Sequence, residues 1–184
     1  FIPDLLLSNT NKLFVSTSNN LIISGSARPL DIEENKYVAR GIFILSIDSN
    51  LNSLFSWNTV GSYDFTNTQH AIELLNGKVA IVGQGAAFGN PAVAIINSDG
   101  TIYRSYNGAG NYFWNGTIIK SNTGGFYGLF KDQSLYNDPY PIQIIKFDES
   151  AIPINTEYLI EGNERTHEKD MVLNSDGSLT ILFD

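Results

Sequence analysis

The chain carries two histidines, nineteen acidic side chains and no cysteine, and these limit its chemistry. Without cysteine it has no thiolate nucleophile, no disulfide and no thiolate metal site. His70 and His167 have no third ligand at a metal-binding spacing, so no metal and no cofactor is expected. A Ser–His–Asp triad has no G-x-S-x-G context, and no residue is assigned a catalytic role. NSDG occurs at Asn97–Gly100 and again at Asn174–Gly177. A calcium loop needs about six to eight oxygens, usually from several acids. Each NSDG supplies one acid, so it reads as a hairpin turn. Pairs such as Asp64 with Glu73, or Glu157 with Glu161, would serve glycoside hydrolysis only at a defined separation, which sequence does not set.

The aromatic residues are the better candidates. Trp57 and Tyr63 follow one strand-rich stretch, and Tyr112, Phe113 and Trp114 follow the next, in GNYFWNG. Tyr136 and Tyr140 share a segment with Asp138, Pro139 and Pro141. Aromatic rings beside Asn and Asp stack on sugars or anchor a protein partner. Trp57, Tyr63, Tyr112, Trp114, Tyr136 and Tyr140 are therefore the candidate ligand-binding residues. The competing role for both tryptophans is to fill a wedge between packed sheets. Asn115-Gly116-Thr117 fits a glycosylation sequon but reads as incidental.

Composition narrows the partner. Charged residues make up 16% of the chain and hydrophobic residues 42%, so it folds, with Asn, Ser, Thr and Gly carrying the polar surface. The net charge of −8, with no local Lys/Arg cluster, argues against nucleic acid. No apolar run approaches the roughly 20 residues of a membrane-spanning helix. The sequence begins with Phe1 and shows no signal peptide, so it reads as a mature or excised segment.

The elements that must position the aromatics are strands. Apolar runs of about five to seven residues alternate with Asn, Asp, Gly and Ser, and helical periodicity is nearly absent. Fourteen strands are expected, from Leu13–Thr17 to Leu179–Phe183. Asn76-Gly77, Asp99-Gly100 and Asp176-Gly177 predict two-residue hairpin turns, which need positive φ angles, and Gly124-Gly125 serves the same purpose.

The strands fall into a repeat. LFVSTSNNLIISGS is followed by GIFILSIDSNLNSLFSW, AIELLNGKVAIVGQ by AVAIINSDGTIYRSY, and TIIKSNTGGFYGLFK by IQIIKFDESAIPINTEYLI. A fourth unit, MVLNSDGSLTILFD, stops half-way. Turn acids Asp48, Asp99 and Asp148 recur about every 50 residues. The repeats span approximately residues 13–60, 70–114, 117–162 and 170–184. Each full unit is a hairpin, a loop and a second hairpin. Such a sheet buries both faces only by stacking on its neighbours, as propeller blades do. The expected fold is therefore all-β and β-propeller-like, a single domain of about three and a half to four four-stranded blades. Ile2–Leu7 offers a further strand that would help close a four-bladed ring. The stop in mid-blade favours a piece of a larger propeller.

GGFYGLF at Gly124–Phe130 followed by IQIIKFDES at Ile142–Ser150 resembles the DGG-type propeller repeats of Bacteroidota secreted and surface proteins. LNGKVAIVGQ and LNSDGSLTILF resemble the same repeats and the related delta-60 type. The chain departs from the pattern at Asn19-Asn20, in place of Asp-Gly, and at Glu149-Ser150, where glycine is expected. The resemblance implies an extracellular or outer-membrane surface location and a non-enzymatic binding or scaffold module contacting protein or glycan. The alternatives are a glycan-active enzyme with its site at the channel mouth, or a structural component of a larger surface assembly.

Overall fold

The computed structural model describes residues 5–29, 41–58, 67–84, 91–107, 113–132, 142–159 and 168–183. All fourteen elements there are strands: β1 (Leu5–Val15), β2 (Leu21–Pro29), β3 (Gly41–Ile47), β4 (Ser53–Asn58), β5 (Asn67–Glu73), β6 (Val79–Gln84), β7 (Pro91–Ile96), β8 (Ile102–Asn107), β9 (Phe113–Lys120), β10 (Phe126–Asp132), β11 (Ile142–Phe147), β12 (Pro153–Leu159), β13 (Glu168–Leu173) and β14 (Leu179–Phe183). They form three four-stranded sheets, each an antiparallel meander in chain order, and a two-stranded sheet of β13 and β14.

Strands begin where apolar alternation begins, except the first strand of each sheet. β1 starts at Leu5 because bulges between Leu7 and Asn9 and between Thr10 and Lys12 keep its polar run in the sheet. Leu5–Leu7 thus pairs with Ala27–Pro29, in the first sheet and not in the fourth unit, which corrects the expectation for Ile2–Leu7. Bulges also interrupt β5 between Thr68 and His70 and β13 between Glu168 and Asp170, and the β9–β10 register skips Asn115. Each bulge inserts one unpaired residue and so breaks the period of two that sequence reading depends on.

The turns differ in type from expectation. Leu74 N–H bonds Lys78 C=O at 2.8 Å and Gly77 N–H bonds Leu74 C=O at 3.1 Å. This is a type I turn closed by one left-handed residue, and it requires positive φ once, not twice. The left-handed position falls on Gly77, Gly100, Gly124 and Gly177, but also on Asn19, Leu51 and Ala151 at φ 62°, 67° and 56°. Ala151, not Glu149 or Ser150, therefore stands in for the missing glycine.

The sheets stack through alternate faces. Val79, Ile81, Ala94 and Ile96 of the second sheet pack on Ile22, Ile42 and Ile44 of the first. Ala80, Val82, Val93 and Ile95, one residue out of phase, pack on Ile118, Phe126, Phe130, Ile145 and Phe147 of the third. Phe147 stacks on Phe126 at 4.9 Å between ring centroids and meets Phe130 edge-on. Leu129, Ile142 and Ile144 on the other face of the third sheet meet Met171, Leu179 and Ile181. Truncating one of the buried phenylalanines to alanine costs about 3–5 kcal/mol. The first strands touch in sequence, β1 on β5, β5 on β9 and β9 on β13. Among the described residues the series stays open: Leu13 and Val15 of the first sheet, and Val172 and Leu182 of the hairpin, remain exposed.

Candidate functional site

A meander of four strands sends its first and third connections to one edge and its second to the other. All seven tight turns, at residues 16–20, 48–52, 74–78, 97–101, 121–125, 148–152 and 174–178, therefore lie at the turn edge of their sheets. Strands β2, β4, β6, β8, β10 and β12 end at the opposite, connection edge.

Of the six sequence candidates, Trp57 and Trp114 lie at strand positions beside this connection edge. Trp57 lies in β4 opposite Ile44, one residue from the strand's end. Trp114 lies in β9 opposite Lys131, one residue after the strand's start. Tyr63, Tyr112, Tyr136 and Tyr140 lie outside the described residues, in the segments between β4 and β5, β8 and β9, and β10 and β11. His167 and the carboxylates Asp64 and Glu161 lie outside them too.

Side chains at the turn edge hold the stack together. Glu73 accepts from Thr17 N–H at 2.7 Å and from Thr17 Oγ1 at 2.9 Å, joining the second sheet to the first. Asn76 Nδ2 donates to Glu149 Oε2 at 3.0 Å, joining the second to the third. Lys78 Nζ sits 3.1 Å from the Tyr103 ring centroid, a cation–π contact within the second sheet. The turn acids face their own backbone. Asp99 Oδ1 accepts from Thr101 N–H at 2.9 Å and Thr101 Oγ1 at 2.6 Å. Asp176 does the same with Ser178, and Asp48 bonds Asn50 and Asn52. Side-chain hydrogen bonds from Asn52, Thr101 and Ser178, ahead of the backbone ones, hold these three carboxyls below their ordinary pKa.

His70 bridges two first strands. Its Nδ1 accepts from Ile118 N–H at 3.1 Å and lies 3.3 Å from Thr117 Oγ1. An N–H donor needs a lone pair on Nδ1, so that nitrogen is unprotonated. Burial, then the charge of Lys12, lowers the His70 pKa, and Asp170 opposes them. Lys12 is on β1 and Asp170 on β13, so the first strands of the first and fourth units both act on this ring. Among the described residues no group of three or more His, Asp or Glu is placed to hold a metal ion.

Two surface grooves were not foreseen from the sequence. One, of about 600 Å³, lies at the turn edge between Leu75, Gly124, Glu149 and Ile154. The other, of about 510 Å³, lies between the third sheet (Tyr127, Ile144, Lys146, Asn155, Glu157) and the hairpin residues Gly177, Leu179 and Ile181.

No family model matches the chain, and no curated protein matches it. A solved structure titled a hypothetical protein from Leishmania major aligns with 99% of this chain and 82% of its own, at 13% identity and a TM-score of 0.46. That likeness is too slight to carry an argument about fold or function. Among the described residues no helix is long and apolar enough to cross a membrane.

Proposed function

We propose that this chain is a propeller-type repeat module of the DGG kind that holds a protein or glycan partner, or acts as a scaffold, at an extracellular or outer-membrane surface. The segregation of the two edges carries the reading. The turn edge is tied up in its own Asx turns and in the bonds of Thr17 with Glu73 and Asn76 with Glu149. The aromatic candidates fall in or beside the segments that join strands at the other edge. Rings on connections held by a stacked scaffold make a contact surface without a catalytic motif.

The test is a glycan array and a partner pull-down with the intact protein, alongside a polysaccharide hydrolysis assay. Retention of a ligand without turnover supports the reading. Hydrolysis without retention supports the glycan-active alternative and overturns it. A second reading, a component of a larger assembly, is favoured by the exposed outward faces at both ends of the stack.

A further inference from the structure

The turns and outer strands of the second and third sheets leave large apolar side chains in solvent. Leu75, Tyr103, Ile152 and Ile154 are 43% to 61% exposed. Single exposed apolar residues need no explanation, but these gather round one feature. Leu75 and Ile154 line the groove of about 600 Å³ at the turn edge. The Tyr103 hydroxyl lies 3.5 Å from Oγ of Ser150, another lining residue, and Ile152 closes the turn that contains Ser150. The second sheet packs on the first and the third, and the third packs on the second and the hairpin, so each has a neighbour on either face. β8 and β12 are the outer strands of these sheets, and a bulge in each leaves Tyr103 and Ile154 without a cross-strand partner. A bulge blunts an open edge, and charge or proline commonly assists it. An apolar bulge residue adds nothing to that protection, but a bulge also re-aims a side chain.

The groove is negative as well as apolar. The turns of these two sheets carry Asp99, Asp148 and Glu149 against Lys78 alone. Lys78 Nζ is engaged by the Tyr103 ring at 3.1 Å. Lys146 borders the groove, but its Nζ lies 5.4 Å from the centre of the Tyr127 ring, which packs on the hairpin side of the sheet. Both acids in the groove are held in place. Asp148 Oδ1 accepts from Ser150 N–H and Ile152 N–H at 2.8 Å each, and Glu149 Oε2 accepts from Asn76 Nδ2 at 3.0 Å. Glu149 Oε1 lies 3.8 Å from where a Cβ on Gly124 would stand, so it overlooks bare backbone. Fixed carboxylates beside an apolar cleft complement a segment that carries both cations and apolar side chains. They repel an anionic lipid surface and a second copy of this chain at net charge −8. The patch is also small, whereas stable pairs of folded subunits use about 20–30 residues a side.

We propose that this groove docks a short basic and apolar segment of another protein. Apolar side chains of the segment enter between Leu75 and Ile154, and flanking arginine or lysine meets Asp148 and Glu149 in charge-assisted hydrogen bonds. In an extended segment, residues two apart share a face, so two apolar residues in that spacing reach the groove together. The site lies on the turn edge and does not depend on what the connection edge binds.

The probe is a fluorescent peptide with a Leu-Ser-Leu centre between two pairs of arginines, added to the intact protein. Saturable binding with a Kd below about 1 mM is expected. Replacing the peptide's leucines by serine, or its arginines by glutamate, should abolish it. Ile154→Ser should weaken binding by about tenfold, whereas Leu51→Ser, at an exposed position in a turn of the first sheet, should leave it unchanged. Glu149→Gln keeps an oxygen for Asn76 and should weaken binding by about threefold, whereas Glu157→Gln, which faces the other groove, should not. Urea midpoints confirm that the variants fold. Equal weakening by Glu149→Gln and Glu157→Gln, or binding of the serine peptide, reduces the effect to net charge and overturns the proposal. Binding of the glutamate peptide, equal loss in Ile154→Ser and Leu51→Ser, or no binding at about 1 mM peptide also overturns it. Binding to phosphatidylserine vesicles, or self-association, that Ile154→Ser abolishes while the peptide does not bind puts a membrane or a second copy in the groove and overturns it too.

Discussion

Exchanging residues at the left-handed turn position tests the turn geometry in both directions. Leu51 holds φ at 67° with its side chain 82% exposed, so no burial offsets its strain. A left-handed L-residue costs about 1–2 kcal/mol, and glycine returns about 0.5–1 kcal/mol of that as extra chain entropy lost on folding. Leu51→Gly should therefore stabilise the protein by about 0.5–1 kcal/mol. Gly77, at φ 77°, has nothing within 4 Å of where a Cβ would stand. Gly77→Ala should cost the same amount with opposite sign, from conformation alone. Gly125, at φ 71°, differs: its Cβ would land on the Phe147 carbonyl oxygen, and β11 would have to move. Overpacking adds about 1–3 kcal/mol, so Gly125→Ala should cost roughly 2–4 kcal/mol in all. Urea unfolding of the three variants reads these differences directly. Equal costs for Gly77→Ala and Gly125→Ala, or a lower midpoint for Leu51→Gly, would refute the turn assignment.

His70 makes stability depend on pH. Its pKa is lowered on folding, so the unfolded chain holds a proton where the folded chain does not. Its contribution is complete above the unfolded value of about 6.5 and is lost as pH falls below it, until the folded form also titrates. His70→Gln should flatten this slope in urea midpoints taken between about pH 5 and pH 8; an unchanged slope would assign it to other groups. Ser24 Oγ is buried, and among the described residues it has no hydrogen-bond partner. Ser24→Ala should leave stability unchanged or raise it by about 1 kcal/mol, and a loss in the thermal midpoint would reveal a partner for the hydroxyl. Glu73→Gln keeps the shape but removes the charge that accepts from Thr17, so the variant should lose about 1 kcal/mol, read by urea unfolding. No loss would make this bridge between sheets incidental.

All-β character was legible throughout. β3, β11 and β14 have the residue limits expected of them, because each is an apolar run closed by a turn. β1, β5, β9 and β13 run longer than expected, since their bulges interrupt the alternation that marks a strand. The turns were placed correctly but given the wrong geometry. Asn-Gly suits both a two-residue turn and a type I turn with a left-handed closing residue, and the hydrogen bonds of Leu74 with Lys78 and Gly77, with positive φ at Gly77 but not at Asn76, separate them. The grooves were not legible, because each depends on which face has a neighbour and not on the residues of one strand. The six aromatic candidates remain a reading of residue type and connection. The role of His70 was not legible either, because its bond to Ile118 depends on a contact between sheets that sequence does not show.

Binding measured side by side in three proteins tests the module account most directly. They are the intact chain, a connection-edge variant with Tyr63, Tyr112, Tyr136 and Tyr140 changed to alanine, and a turn-edge variant carrying Leu51→Ala and Leu75→Ala. The account predicts that a glycan or protein ligand is retained by the intact chain and the turn-edge variant and lost by the connection-edge variant. Retention by the connection-edge variant, with loss in the turn-edge variant, would contradict it.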